Sequence, residues 1–129
     1  LWLAWQAQGD EGYRDRVEHA FGNVAAARRM VLEREALELI REPMGCNLLF
    51  RWIPAPWRGT PLAERPVERI DGMNVELRER LKRSGEVMLN YSSIDGRTAL
   101  RLVLTHPELT EQDLEAVFDA VEAAGQGLQ

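Results

Sequence analysis

The sequence predicts an α+β domain: a mainly antiparallel four-stranded sheet with helices on one face, preceded by a long helix. Three observations lead there. The segments run helix, two strands, helix, two strands, helix. The strand candidates come in neighbouring pairs separated by turn residues, which favours hairpins over crossover connections. The helical segments carry apolar residues three and four apart, the spacing of a half-buried helix. The chain of 129 residues is long enough for one hydrophobic core, and 45% hydrophobic with 29% charged residues is a soluble globular composition. Residues 1–129 are therefore expected to form a single domain, with 1–34 as a helical segment leading in.

The elements follow in order. "LWLAWQAQ" reads as the last turns of a helix, with Gly9 breaking it and Asp10 placed to cap the next. Tyr13, Val17, Ala20, Phe21, Val24, Ala27 and Val31 then mark an amphipathic helix reaching Glu33. "ALELIRE" and "NLLFRWI" are strands joined through "PMG", the second ended by Pro54. "PAPWRGTPLAERP", with its four prolines, is a surface loop. Val67 to Arg83 returns to helical spacing and stops at Ser84–Gly85. "EVMLNYSSI" and "RTALRLVLT" form a hairpin around Asp95–Gly96. Thr110, with Asp113 three residues on, opens a helix whose buried stripe is Leu114, Val117, Phe118 and Val121, ended by Gly125 and Gly127.

Composition excludes several classes of function. The net charge is −5 with acids and bases interleaved, so no basic stripe is available for nucleic acid. No run approaches the ~20 apolar residues of a membrane span, and no secretory signal opens the chain. A single cysteine, Cys46, permits neither an intrachain disulfide nor a cysteine metal framework. It heads the apolar run "CNLLFRWI" and reads as a buried thiol in a reducing compartment, the cytoplasm. Trp2 and Trp5 at the start predict a chain that begins inside an element, and hence a piece of a longer protein whose apolar end associates with another surface.

No complete catalytic or metal-binding constellation is expected within the chain. His19 and His106 lack helical metal-pair spacing; the first reads as a packing histidine, the second as a local hydrogen-bonding group beside Pro107. Ser84, Ser92 and Ser93 have no recognisable base, and carboxylates fall on solvated helix faces. Arg101 stands apart. In "RTALRLVLTH", Leu100, Leu102 and Leu104 take one sheet face and Ala99, Arg101 and Val103 the other. A guanidinium between apolar neighbours in mid-strand snorkels to water, meets a carboxylate or binds an anion, and periodicity leaves these alternatives open.

The ordered set "LWLAWQAQGDEGYRDRVEHAF", "CNLLFRWIPAPWRG" and "LNYSSIDGRTALRLVLTHPELTEQDLEAVFDAVEAAGQGL" resembles the group II pyridoxal-phosphate-dependent amino-acid decarboxylases, over essentially the whole chain. The resemblance implies the carboxy-terminal small domain of a fold-type-I pyridoxal-phosphate enzyme. The amino-terminal large domain that carries the cofactor lysine would lie upstream, and the subunit would form a homodimer. Lys82, the only lysine here, matches no cofactor motif, so no catalytic, cofactor-binding or metal residue carries over, and no cofactor is expected on this chain alone. Arg101 does carry over, as the arginine holding the carboxylate of the amino-acid substrate. Leu100 stands where some relatives have an aromatic residue, and "RWIPAPWRG" is closer to the glutamate and cysteine-sulfinate branch. The alternative is a stand-alone, non-catalytic α+β module for dimerisation or small-ligand binding, which the upstream reading frame would distinguish.

Overall fold

A 32-residue helix, α1 (Trp2–Glu33), opens the computed structural model, which describes residues 1–128. Strands β1 (Leu37–Arg41) and β2 (Asn47–Trp52) follow, then two short 3-10 turns, α2 (Val67–Ser84), β3 (Asn90–Ile94), β4 (Arg97–Val103) and α3 (Glu111–Gln126). Each strand pair is antiparallel, and the sheet order is β1-β2-β4-β3. This is the expected α+β architecture.

Gly9 breaks α1 into two helical stretches across a kink, as expected: its φ of 65° with ψ of −178° is a non-helical conformation that glycine adopts without a Cβ clash. The helix resumes at once, so Asp10 is no cap. Its carboxylate instead accepts the Trp5 indole N–H at 2.8 Å, and Trp5 stacks on Tyr13. Of the expected stripe, Ala20, Val24, Ala27 and Val31 are buried, whereas Val17 and Phe21 stay about half exposed. The helix thus has two apolar faces, and only one meets the sheet.

The core lies on a single face of the sheet. Leu48, Phe50 and Trp52 of β2 and Leu100 of β4 meet Val24, Ala27 and Val31 of α1, Leu77 and Leu81 of α2, and Leu114, Phe118 and Val121 of α3. Each of these side chains larger than alanine contributes roughly 1.5–3 kcal/mol on burial, which is why the three helices gather there. Phe50 and Phe118 meet edge to face, with ring centroids 5.4 Å apart. Thr110 and Asp113 form the expected capping box of α3. Hydrogen bonds from the Thr110 side chain and backbone hold the Asp113 carboxyl below its usual range. Arg28 of α1 grips Glu42 of the β1–β2 turn through two bonds of 2.6 and 2.7 Å, which lowers the Glu42 carboxyl in turn.

Two details depart from the periodic reading. Asn74, buried on α2, accepts from the Trp52 backbone N–H and donates to its carbonyl, both at 2.9 Å. Its amide serves as a strand partner where β4 no longer pairs with β2, whose ladder with β4 ends at Phe50↔Leu100. Gly125 lies within α3 instead of ending it, because the Trp52 indole occupies the space of a side chain: a Cβ there would stand 2.3 Å from the ring. Gly125→Ala gains about 1 kcal/mol in helix propensity yet must displace a ring fixed in the core. The expected net loss is about 2 kcal/mol, read as a lowered midpoint in chemical denaturation; an unchanged or raised midpoint would show that α3 yields freely.

Candidate functional site: the open face of the sheet

The strand face opposite the core carries Glu38, Leu49, Arg51, Arg97, Ala99 and Arg101, as two-residue alternation and the pairings Glu38↔Arg51 and Leu49↔Arg101 require. A β-bulge adds Arg41 to this set. Between Leu39↔Phe50 and Arg41↔Leu49 the register slips by one, so that two residues of β1 oppose a single one of β2. Without the slip Arg41 would sit on the core side; with it the guanidinium turns to the open face. An open depression of about 320 Å³ lies there, lined by residues that include Arg41, Glu42, Met44, Asn47 and Leu49.

Arg101 stands at the middle of the sheet, paired with Leu49 on β2 and Asn90 on β3. It is half-buried, and its Nε is buried without a hydrogen-bond partner among the described residues. None of the ion pairs among the described residues includes it. The structural-ion-pair alternative therefore finds no partner here. A buried guanidinium nitrogen left unpaired costs free energy that a bound anion would offset, and its planar fork suits a carboxylate.

The neighbouring arginines are engaged. Glu38 accepts from Arg51 Nε and Nη2 at 3.2 and 3.1 Å, from Arg65 of the loop, and stands 3.9 Å from Arg97. Arg51 is fully buried and lies 3.8 Å from Asp71 at the start of α2. This cluster was missed in the sequence, although the signal was present: "LELIR" and "LLFRW" place Glu38 and Arg51 off the core face by simple alternation. Glu38 thereby occupies three guanidinium groups and leaves Arg101 without a competing acid.

The remaining sequence candidates fall elsewhere. His19 Nε2 lies 2.8 Å from the Leu109 carbonyl and ties α1 to the segment before α3. His106 Nδ1 accepts the Glu108 N–H in its own turn. Ser84 donates to the Leu81 carbonyl. Cys46 is half-buried and unpaired. Among the described residues no group of His, Cys, Asp and Glu could hold a metal, and no helix is long and apolar enough to cross a membrane. Lys82 is exposed near the end of α2, away from the open face. With Lys82 the one lysine of the chain, the open face has no lysine with which pyridoxal phosphate could form a Schiff base. Trp2 is 70% exposed and Phe21 50%, along the second apolar face of α1.

No family model matches the chain. Human cysteine sulfinic acid decarboxylase is 34% identical over 132 residues, which cover 99% of this chain and 26% of that protein. The crystal structure of mouse CSAD superposes with a TM-score of 0.89 at 29% identity, covering 96% of this chain and 26% of that one. Oryza sativa TDC, solved with PLP and tryptamine, has a TM-score of 0.83 at 17% identity, covering 98% of this chain and 26% of its own, and shares the fold. The chain spans about a quarter of the length of the curated relatives it matches. Over nearly its whole length, it matches the carboxy-terminal portion of the group II pyridoxal-phosphate-dependent amino-acid decarboxylases.

Proposed function

We propose that this chain is the carboxy-terminal small domain, residues 1–129 with 1–34 leading in, of a cytoplasmic, homodimeric amino-acid decarboxylase that uses pyridoxal phosphate. Its contribution to the reaction is Arg101, which holds the substrate carboxylate. The observation that carries this reading is Arg101, whose buried Nε has no acceptor and which joins no ion pair among the described residues; Arg51 Nη1 also lacks a hydrogen bond, but Arg51 is held by Glu38 and Asp71. Acidic substrates come first, in keeping with relatives named cysteine sulfinic acid decarboxylase and acidic amino acid decarboxylase. The exposed side of α1 and its opening turns, with Trp2, Val17 and Phe21, would dock on the large domain or on the second subunit.

The test compares two preparations. The intact protein, with its upstream residues, is expected to release carbon dioxide from cysteine sulfinate, aspartate or glutamate when supplied with the cofactor. The 129-residue chain alone is expected to be inert and to capture no pyridoxal phosphate covalently, because Lys82 lacks a binding environment. Borohydride trapping that gave a stoichiometric adduct at Lys82 would contradict the assignment. So would an intact protein that released no carbon dioxide from any of a panel of amino acids.

A further inference from the structure

We propose that the β3–β4 hairpin is a strap across the Arg101 face, and that Arg41 and Asp95 are positioning residues that hold it in place. The inference rests on the reading of Arg101 given above. Arg41 donates to the Asp95 carboxylate at 3.1 Å. These two residues belong to distant parts of the sheet: Arg41 ends the edge strand β1, and Asp95 sits in the turn of the hairpin that forms the other edge.

A flat sheet could not bring them together. Arg41, Leu49 and Arg101 share one row across β1, β2 and β4. Asp95 is five positions beyond Asn90, the partner of Arg101 on β3, so in a flat ladder it would stand roughly 16 Å along the strands from that row, and two strands or more to the side of Arg41. That is farther than an arginine and an aspartate side chain span together. The hairpin must therefore leave the sheet plane and fold back over the open face.

Three local features produce the bend. The β2–β4 ladder stops at Phe50↔Leu100, and Asn74 takes over the Trp52 backbone, which frees the Arg97 end of β4. The turn is tight, with Asp95 at φ 51° and Gly96 at φ 73°. The β1 bulge then presents Arg41 to the arriving tip. A second tether, Arg97 to Glu38 at 3.9 Å, crosses the same face. The fastening stands at the rim of the depression, where Arg41 and Leu49 both line the wall and Leu49 faces Arg101.

The strap restricts water at Arg101 and fixes the direction of its fork. Both latch side chains are more than half exposed, so the pair is weak and screened by salt, which suits an element that opens for exchange. The test uses the intact enzyme. Asp95→Asn keeps a residue that tolerates the left-handed turn and removes only the charge; Arg41→Gln removes the partner, and Arg41→Lys keeps it. Expected is a rise in KM of about threefold for Asp95→Asn and for Arg41→Gln, with kcat within twofold and the thermal midpoint unchanged. The double variant should be no worse than either single one, Arg41→Lys should restore most of the affinity, and amide exchange in residues 92–98 should quicken in Asp95→Asn. Additive effects in the double variant, or unchanged KM alongside a damaged Arg101→Lys enzyme, would overturn the strap and leave the assignment of Arg101 standing. A fully active Arg101→Lys enzyme would remove the assignment itself, and the strap with it.

Discussion

In the intact enzyme, Arg101→Lys and Arg101→Ala are each expected to lower kcat/KM at least about tenfold, the equivalent of ~1.4 kcal/mol, while thermal stability barely changes. The Arg101 Nε is buried and unpaired, and no carboxylate of the described chain lies within ion-pair distance. Removing the side chain breaks no hydrogen bond or ion pair among the described residues, so the fold has little to lose. A ligand role predicts a large loss, because a charged hydrogen-bond partner in a water-poor cleft is worth roughly 2–5 kcal/mol. Lysine keeps the charge but not the fork, and therefore surrenders orientation along with one of two parallel bonds. Steady-state kinetics beside thermal unfolding of the same variants separates these cases. Normal kinetics with reduced stability would make Arg101 a structural residue.

The division of the chain into elements was legible from spacing alone. Apolar residues three and four apart gave α2 and the buried half of α1, Thr110 and Asp113 marked the start of α3, and Asp95–Gly96 the second hairpin. Alternation also placed Arg101 on the face away from Leu100 and Leu104. What stayed hidden depends on partners remote in the chain. Phe21 and Val17 fit a helical stripe as well as Val24 does, and only the position of the sheet decides which face is covered. Gly125 looked like a helix end because glycine commonly is one, whereas its neighbour is Trp52, far earlier in sequence. A one-residue bulge at the end of β1 leaves no trace in a five-residue pattern, yet it decides which way Arg41 points. The role proposed for Arg101 comes from family resemblance, since periodicity also allowed an ion pair or snorkelling; the structure adds that no ion pair to it is present among the described residues.

The charge cluster beside Arg101 supplies the largest expected stability effect, and it should be asymmetric. Arg51 is fully buried, with Glu38 as its hydrogen-bonded acid and Asp71 farther off at 3.8 Å. Glu38→Ala removes the acid and leaves a buried guanidinium with little to oppose it; breaking a buried pair in this way costs about 3–5 kcal/mol. For a chain of this size that is a fall of roughly 10 °C or more in the unfolding midpoint. Arg51→Met removes the buried charge itself and fills much of its volume. Glu38 would keep Arg65 and Arg97, and Asp71, whose buried Oδ1 already lacks a hydrogen bond, would lose only a contact of 3.8 Å, so the expected cost is about 1–2 kcal/mol. Packing alone predicts the opposite order, since Arg51 is the larger and more deeply buried side chain. Thermal unfolding of the two variants decides between these accounts. If Arg51→Met proved the more damaging, the cluster would be held by its aliphatic contacts, and Glu38 would not be the hub that leaves Arg101 free.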